Sequence, residues 1–173
     1  MRLRQIPFAL LTAIFLLAIS RQPLQAQQIS DSELLKDIGG NEVPKVVNSY
    51  RGEKAVLVNI WATWCGPCKE EFPHIVKLQR KYDNRLKVIF ISTDFNRADA
   101  IDFLREHGVD WTTYYKTGKD QRFINAVSDK WTGAMPFTKI IDKEGNVIAS
   151  WENKADFDTF DTNVKKALNN IKP

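Results

Sequence analysis

From Ala55 the chain runs Ala-Val-Leu-Val-Asn-Ile-Trp-Ala, eight residues with Asn59 as the single polar interruption, and then turns abruptly to a helical pattern. An apolar run of that length bounded by turn residues reads as a strand buried on both faces, the kind found in sheets covered by helices on each side. Trp64-Cys65-Gly66-Pro67-Cys68 follows, and Phe72, Ile75, Val76 and Leu78 recur at helical spacing as far as Tyr82. The order is strand, turn, helix. Pro67 suits the first helical turn, where a missing N–H has no partner to lose, whereas Pro73 lies further in and should bend the helix.

The series continues. Leu86 to Thr93 reads as a second buried strand and Arg97 to His107, before Gly108, as a second helix. Trp111 to Tyr115 predicts an extra strand, Lys116 to Asp120 a turn, and Gln121 to Lys130 another helix. Phe137 to Asp142 and Val147 to Trp151 are apolar runs joined by Lys143-Glu144-Gly145-Asn146, the pattern of a hairpin. Phe157, Phe160, Val164, Leu168 and Ile171 stripe a last helix that opens among Asp156 and Asp158. Upstream, Asp31-Ser32-Glu33 leading into Leu34, Leu35 and Ile38 predicts a short helix capped by Ser30 or Asp31 and ended by Gly39-Gly40. With 43% hydrophobic residues in 173, this is an α/β chain with one core, which excludes disordered and collagen-like classes.

Ile6 to Ile19 is a separate apolar block behind Arg2 and Arg4, shorter than the roughly 20 residues a spanning helix needs. It reads as an export signal over residues 1–26, cut before Gln27, with an uncleaved membrane anchor as the alternative. No cysteine stands near the block to carry a lipid. Residues 27–49 then form an N-terminal extension and residues 50–173 the main domain. Removing residues 1–26 takes away three arginines and no acids, so the net charge falls from +4 to +1. A nearly neutral mature chain offers nucleic acid no basic face, and none is expected as a partner.

Only two cysteines occur, Cys65 and Cys68, and export would place them where thiols tend to be oxidised. A cross-link across so short a loop constrains the unfolded chain little, so the pair points to chemistry rather than stapling. At the first turn of a helix the unpaired N–H groups and the dipole favour the thiolate, the form that attacks. Cys65 would therefore open a partner's disulfide, and Cys68 would close on Cys65 to release the product. Trp64, on the turn itself, is placed to shield Cys65 and touch partners. The competing reading, half of a zinc site, lacks two further ligands, since His74 and His107 have no sequence reason to converge on the thiols. No metal is expected, and no cofactor beyond the redox-active disulfide.

The segment Val58-Asn59-Ile60-Trp61-Ala62-Thr63-Trp64-Cys65-Gly66-Pro67-Cys68-Lys69-Glu70-Glu71-Phe72-Pro73 resembles the active-site segment of exported thioredoxin-like thiol-disulfide oxidoreductases of the TlpA/ResA type. Met135-Pro136 before the hairpin and the run Ile141 to Gly145 extend the likeness over roughly Tyr50 to Ile171. The resemblance implies a thioredoxin fold, a central mixed sheet flanked by helices, with the strand and helix between Trp111 and Lys130 as an insertion. It also implies a cis Met135-Pro136 bond facing the disulfide, with the Met135 backbone, Trp64, Gly66 and Pro67 meeting the substrate. Cytosolic thioredoxins carry an aspartate where this chain has Asn59. Glu71 coincides with an acid that the ResA-like group places near its cysteines, and it is either a proton-transfer group for Cys68 or an exposed acid that complements the helix dipole.

The expected activity is reduction of disulfide-bonded proteins outside the cytoplasm, in the periplasm or an equivalent compartment. Apocytochromes awaiting haem are candidate substrates, and a membrane thiol carrier is the expected electron donor, because no Gly-x-Gly-x-x-Gly motif supplies a nucleotide site. A disulfide oxidant or isomerase is the alternative within the same chemistry. A binding module with a permanent Cys65-Cys68 bond, exposing Tyr114 and Tyr115 to a partner, is the alternative outside it.

Overall fold

The computed structural model describes residues 29–169. The expected signal, residues 1–26, and Ile171 of the last stripe lie outside the described residues. Six strands form one mixed sheet: β1 Leu35–Ile38, β2 Ala55–Trp61, β3 Leu86–Ser92, β4 Thr113–Lys116, β5 Phe137–Ile141 and β6 Val147–Glu152. Their order is β1-β4-β3-β2-β5-β6, parallel from β1 to β2 and antiparallel through β5 and β6. The helices are α1 Asp31–Leu34, α2 Val43–Asn48, α3 Gly66–Lys81, α4 Arg97–Glu106, α5 Asp120–Val127 and α6 Phe157–Leu168.

Every residue of β2 is buried, because side chains alternate between two covered faces. Leu57 and Trp61 point into a cluster built with Phe72 and Ile75 of α3, Leu104 of α4 and Phe160 of α6. Val56, Val58 and Ile60 point the other way, toward Val43 of α2 and Phe123 and Val127 of α5. The apolar run is therefore the spine of a helix–sheet–helix sandwich, as expected of the fold. Phe72 stacks on Phe90 at 4.1 Å and contacts Trp61 at 4.8 Å, anchoring the start of α3 to β2 and β3. α3 runs unbroken through Pro73.

The reading of residues 31–38 as one helix is corrected. The helix stops at Leu34, and Leu35 to Ile38 pair in parallel with Thr113 to Lys116. A lone helix of two turns gains little in water, whereas the edge of β4 offers unpaired backbone groups that this segment satisfies. Its apolar positions fit the change, since Leu35 and Ile38 are buried while Lys36 and Asp37 face outward. Gly40 is required just beyond, where a Cβ would come within 2.9 Å of the Arg122 carbonyl. The insertion strand also starts later than expected. Trp111 is held out of it, stacked on Phe90 with its indole N–H donated to the Val88 carbonyl at 3.2 Å.

Tyr114 and Tyr115 are half-buried rather than a free contact surface, and the Tyr115 hydroxyl donates to the Asp94 carbonyl at 2.7 Å. None of the helices among the described residues is long and apolar enough to cross a membrane.

Candidate functional site

The turn between β2 and α3 lies at the carboxyl end of the central strands, where α/β sheets bind their ligands. Cys65 is the N-cap of α3 and is joined to Cys68 by a disulfide, their Cα atoms 5.3 Å apart. Its Sγ accepts the Cys68 backbone N–H at 3.3 Å, so the sulfur faces the helix N-terminus that would stabilise a thiolate after reduction. Cys65 is 7% exposed and Cys68 1%, which makes Cys65 the sulfur an incoming partner reaches. Gly66 and Pro67 lie exposed between them, and Trp64 stands out beside them at 55%.

The chain brings Met135-Pro136 to the same place from the start of β5. The bond is cis, Pro136 is buried, and Met135 packs against the cluster that contains both cysteines. The Thr93 hydroxyl contacts the Met135 sulfur at 3.1 Å, and the Asn153 N–H donates to the Pro136 carbonyl at 2.9 Å.

Glu71 follows Cys68 by three residues, on the same side of α3. The open alternative of an exposed acid is excluded, because Glu71 is 1% exposed. Its two oxygens accept the Asn59 amide at 2.8 Å and the Ala155 N–H at 3.0 Å. Burial raises the Glu71 pKa from 4.5 to about 7, even though those two hydrogen bonds act in the opposite sense. Glu70, by contrast, is exposed and pairs with Lys154.

Asn59 thus stands in hydrogen-bond contact with the Glu71 carboxyl group. Its amide also donates to the Thr138 hydroxyl at 3.1 Å, while its own Oδ1 is buried without a partner. That arrangement suits both states of Glu71. The amide N–H₂ serves the carboxylate, and a rotated amide would offer Oδ1 to the protonated acid.

Sequence reasoning missed Asp94. It is buried after β3, and its carboxylate accepts the Thr63 N–H at 2.8 Å, the Thr63 hydroxyl at 2.5 Å and the Ser92 hydroxyl at 2.8 Å. These bonds tie the residues before Cys65 to the neighbouring strand. The one available signal was an acid at the carboxyl end of an apolar strand. Asp94→Ala should cost about 2 to 3 kcal/mol by orphaning buried donors, and should disorder the Trp64 turn. Thermal melting and hydrogen exchange of the Thr63 and Trp64 amides would check this, and unchanged values would show that the Asp94 bonds do not hold the turn.

The histidines stay apart from the thiols: His107 stacks on Phe103 at 4.0 Å, and His74 lies edge-on to Phe157 at 6.2 Å. Among the described residues no group of three or more His, Cys, Asp or Glu is arranged to hold a metal.

Known proteins resemble this chain. The redoxin family matches residues 24–168. The thiol-disulfide oxidoreductase ResA of Bacillus thuringiensis is 25% identical over 129 residues, 74% of this chain and 70% of the relative. The thioredoxin-like protein YneN of Bacillus subtilis is 32% identical over 122 residues, 70% of this chain and 67% of the relative. A crystal structure of a thiol:disulfide interchange protein of the thioredoxin family from Chlorobium tepidum superposes with a TM-score of 0.61 at 27% identity, covering 70% of this chain and 84% of that one. A capped dithiol turn on a mixed sheet, found in a chain with these relatives, places the protein: it belongs to the redoxin family, as a thioredoxin-like thiol-disulfide oxidoreductase of the TlpA/ResA type.

Proposed function

We propose that the protein reduces disulfides in exported proteins, apocytochromes before haem attachment among them, with electrons from a membrane thiol carrier and no cofactor beyond its own dithiol. The observation that supports this reading is the pairing of an accessible sulfur at a helix N-terminus with a buried carboxyl group, Glu71, one turn beyond the second sulfur. In the forward sequence the Cys65 thiolate attacks one sulfur of the substrate disulfide. A Cys65–substrate disulfide forms, and the other substrate sulfur leaves as thiolate. Cys68 then gives its proton to Glu71 and attacks Cys65, closing the Cys65–Cys68 bond and expelling the second substrate thiolate. The substrate gains two electrons and, from water and Glu71, two protons.

Gly66-Pro67 supports the reducing direction, since neither residue adds the positive charge that a histidine there would bring to stabilise the thiolate. The apolar block behind Arg2 and Arg4 supports export, with residues 27–49 and 50–173 as the mature extension and domain. Equilibration of the dithiol against glutathione tests the direction of flow. A reductant should sit nearer the thioredoxin value of about −270 mV than the oxidant value of about −120 mV. A potential at the oxidant end would overturn the reading. Export is checked separately, by N-terminal sequencing of the secreted form, expected to begin at Gln27.

A further inference from the structure

The face of the sheet that turns away from the disulfide carries a cleft of about 150 Å³. Val58 of β2 and Ile141 of β5 line it on the sheet side, and Val43 and Val47 of α2 and Val127 of α5 on the helix side. Val58 packs in the cluster on that face, whereas both cysteines belong to the other. A space of this size leaves apolar side chains without the contacts that a close-packed core supplies. Val147, also on its wall, is left 46% exposed. Among these walls stands one ammonium group. Lys139 Nζ donates to the carbonyl of Val127, the last residue of α5, at 2.9 Å, and enters none of the ion pairs among the described residues. Burial holds its pKa below the ordinary lysine value of 10.5, although the Asp129 charge acts in the opposite sense. Closing the end of α5 uses one donor of the ammonium and leaves its others open to a ligand.

We propose that this cleft binds a small carboxylic acid, with its apolar body among the valines and its carboxylate on the Lys139 ammonium. Ligand sites have this composition, mostly apolar with a few polar groups that fix orientation. An apolar space of about 150 Å³ accepts a body the size of a benzene ring, so the ligand is an aromatic or short aliphatic acid rather than a lipid or a peptide. The carboxylate supplies the counter-charge that Lys139 lacks, through a charge-assisted hydrogen bond in partly desolvated surroundings. A neutral molecule of the same shape gains burial alone, and a cation meets the lysine charge. The site is separate from the dithiol and does not depend on the direction of electron flow.

The test uses benzoate and its neutral amide, benzamide, titrated into the isotopically labelled protein with its disulfide closed and followed through the backbone amide signals. Signals of Val43, Val58 and Val127 should shift and saturate at millimolar benzoate. The affinity should exceed that for benzamide by about tenfold or more, the scale of one charge-assisted hydrogen bond. Lys139→Met keeps the apolar stem without the charge and should lower that preference to about twofold or less. Val47→Phe, at a half-buried wall position, should fill the cleft and abolish binding of both probes. Shifts that never saturate in the wild type, saturation centred on the Trp64-Cys65 turn, or equal affinity for the two probes would overturn the proposal. So would a folded Lys139→Met protein that still prefers benzoate. The same spectra report whether each variant folds, and the wild-type comparison requires neither of them.

Discussion

Cys65→Ser is expected to lower protein-disulfide reduction by at least about three orders of magnitude, because a hydroxyl is not ionised at neutral pH and the remaining thiol, Cys68, is only 1% exposed to an incoming substrate. Cys68→Ser should behave differently. Cys65 remains at the capped start of α3 and still attacks, but the mixed disulfide has no second thiol to resolve it and accumulates. Mass spectrometry after incubation with an oxidised protein substrate separates the two variants. Capture by Cys65→Ser instead of Cys68→Ser would reverse the roles. The same geometry predicts a Cys65 thiolate pKa below the free value of about 8.5, to be read from alkylation rate against pH in the reduced protein. An inflection at or above that value would remove the helix N-terminus as the activating group. A permanent structural bond makes a third forecast that the first two exclude, since reducing it would leave an inert pair.

The dithiol, the strand that delivers it and the helix that follows were legible because each is written in local residues: an apolar run, Gly-Pro between cysteines, and apolar positions at helical spacing. Residues 31–38 were misread for the converse reason. Their apolar spacing fits a helix, and what makes Leu35 to Ile38 a strand is β4, almost eighty residues later in the chain. The partners of the site were hidden in the same way. Asn59 and Glu71 lie twelve residues apart on different elements, and the second donor to Glu71, the Ala155 N–H, belongs to the loop before α6 and carries no side-chain signature at all. Asp94 and Phe95 read as ordinary loop residues until Thr63 is seen bonded to one and Trp64 stacked on the other. Sequence revealed the dithiol motif, while the contacts among the groups packed around it are tertiary.

Glu71→Gln is expected to slow resolution of the mixed disulfide by about a hundredfold, the usual scale for removing a positioned base, while leaving attack by Cys65 in place. Glutamine fills the same space, and with Asn59 rotated it can still accept the Ala155 N–H, so the loss reports proton transfer rather than packing. The pH profile makes the distinction sharper. With a Glu71 pKa of about 7, resolution in the wild type should rise as pH increases through neutrality and the carboxylate becomes free to accept a proton. That inflection should vanish in the glutamine variant. Stability carries the same signature with a fixed sign. Between the ordinary value of 4.5 and the folded value of about 7, the native state holds a proton that the unfolded chain has released. Stability is therefore greatest below that window, falls as pH rises through it and levels above it. At about 1.4 kcal/mol per pKa unit, the loss is about 3.5 kcal/mol. Asp161 does not disturb the window: burial raises its pKa, yet hydrogen bonds from Lys165, Lys81 and Tyr82 hold it at about 2. Chemical denaturation at a series of pH values should show the slope in the wild type and a flat line in Glu71→Gln. An equal slope in both proteins, with an unshifted rate profile, would return Glu71 to a packing role and leave Cys68 to lose its proton directly to water.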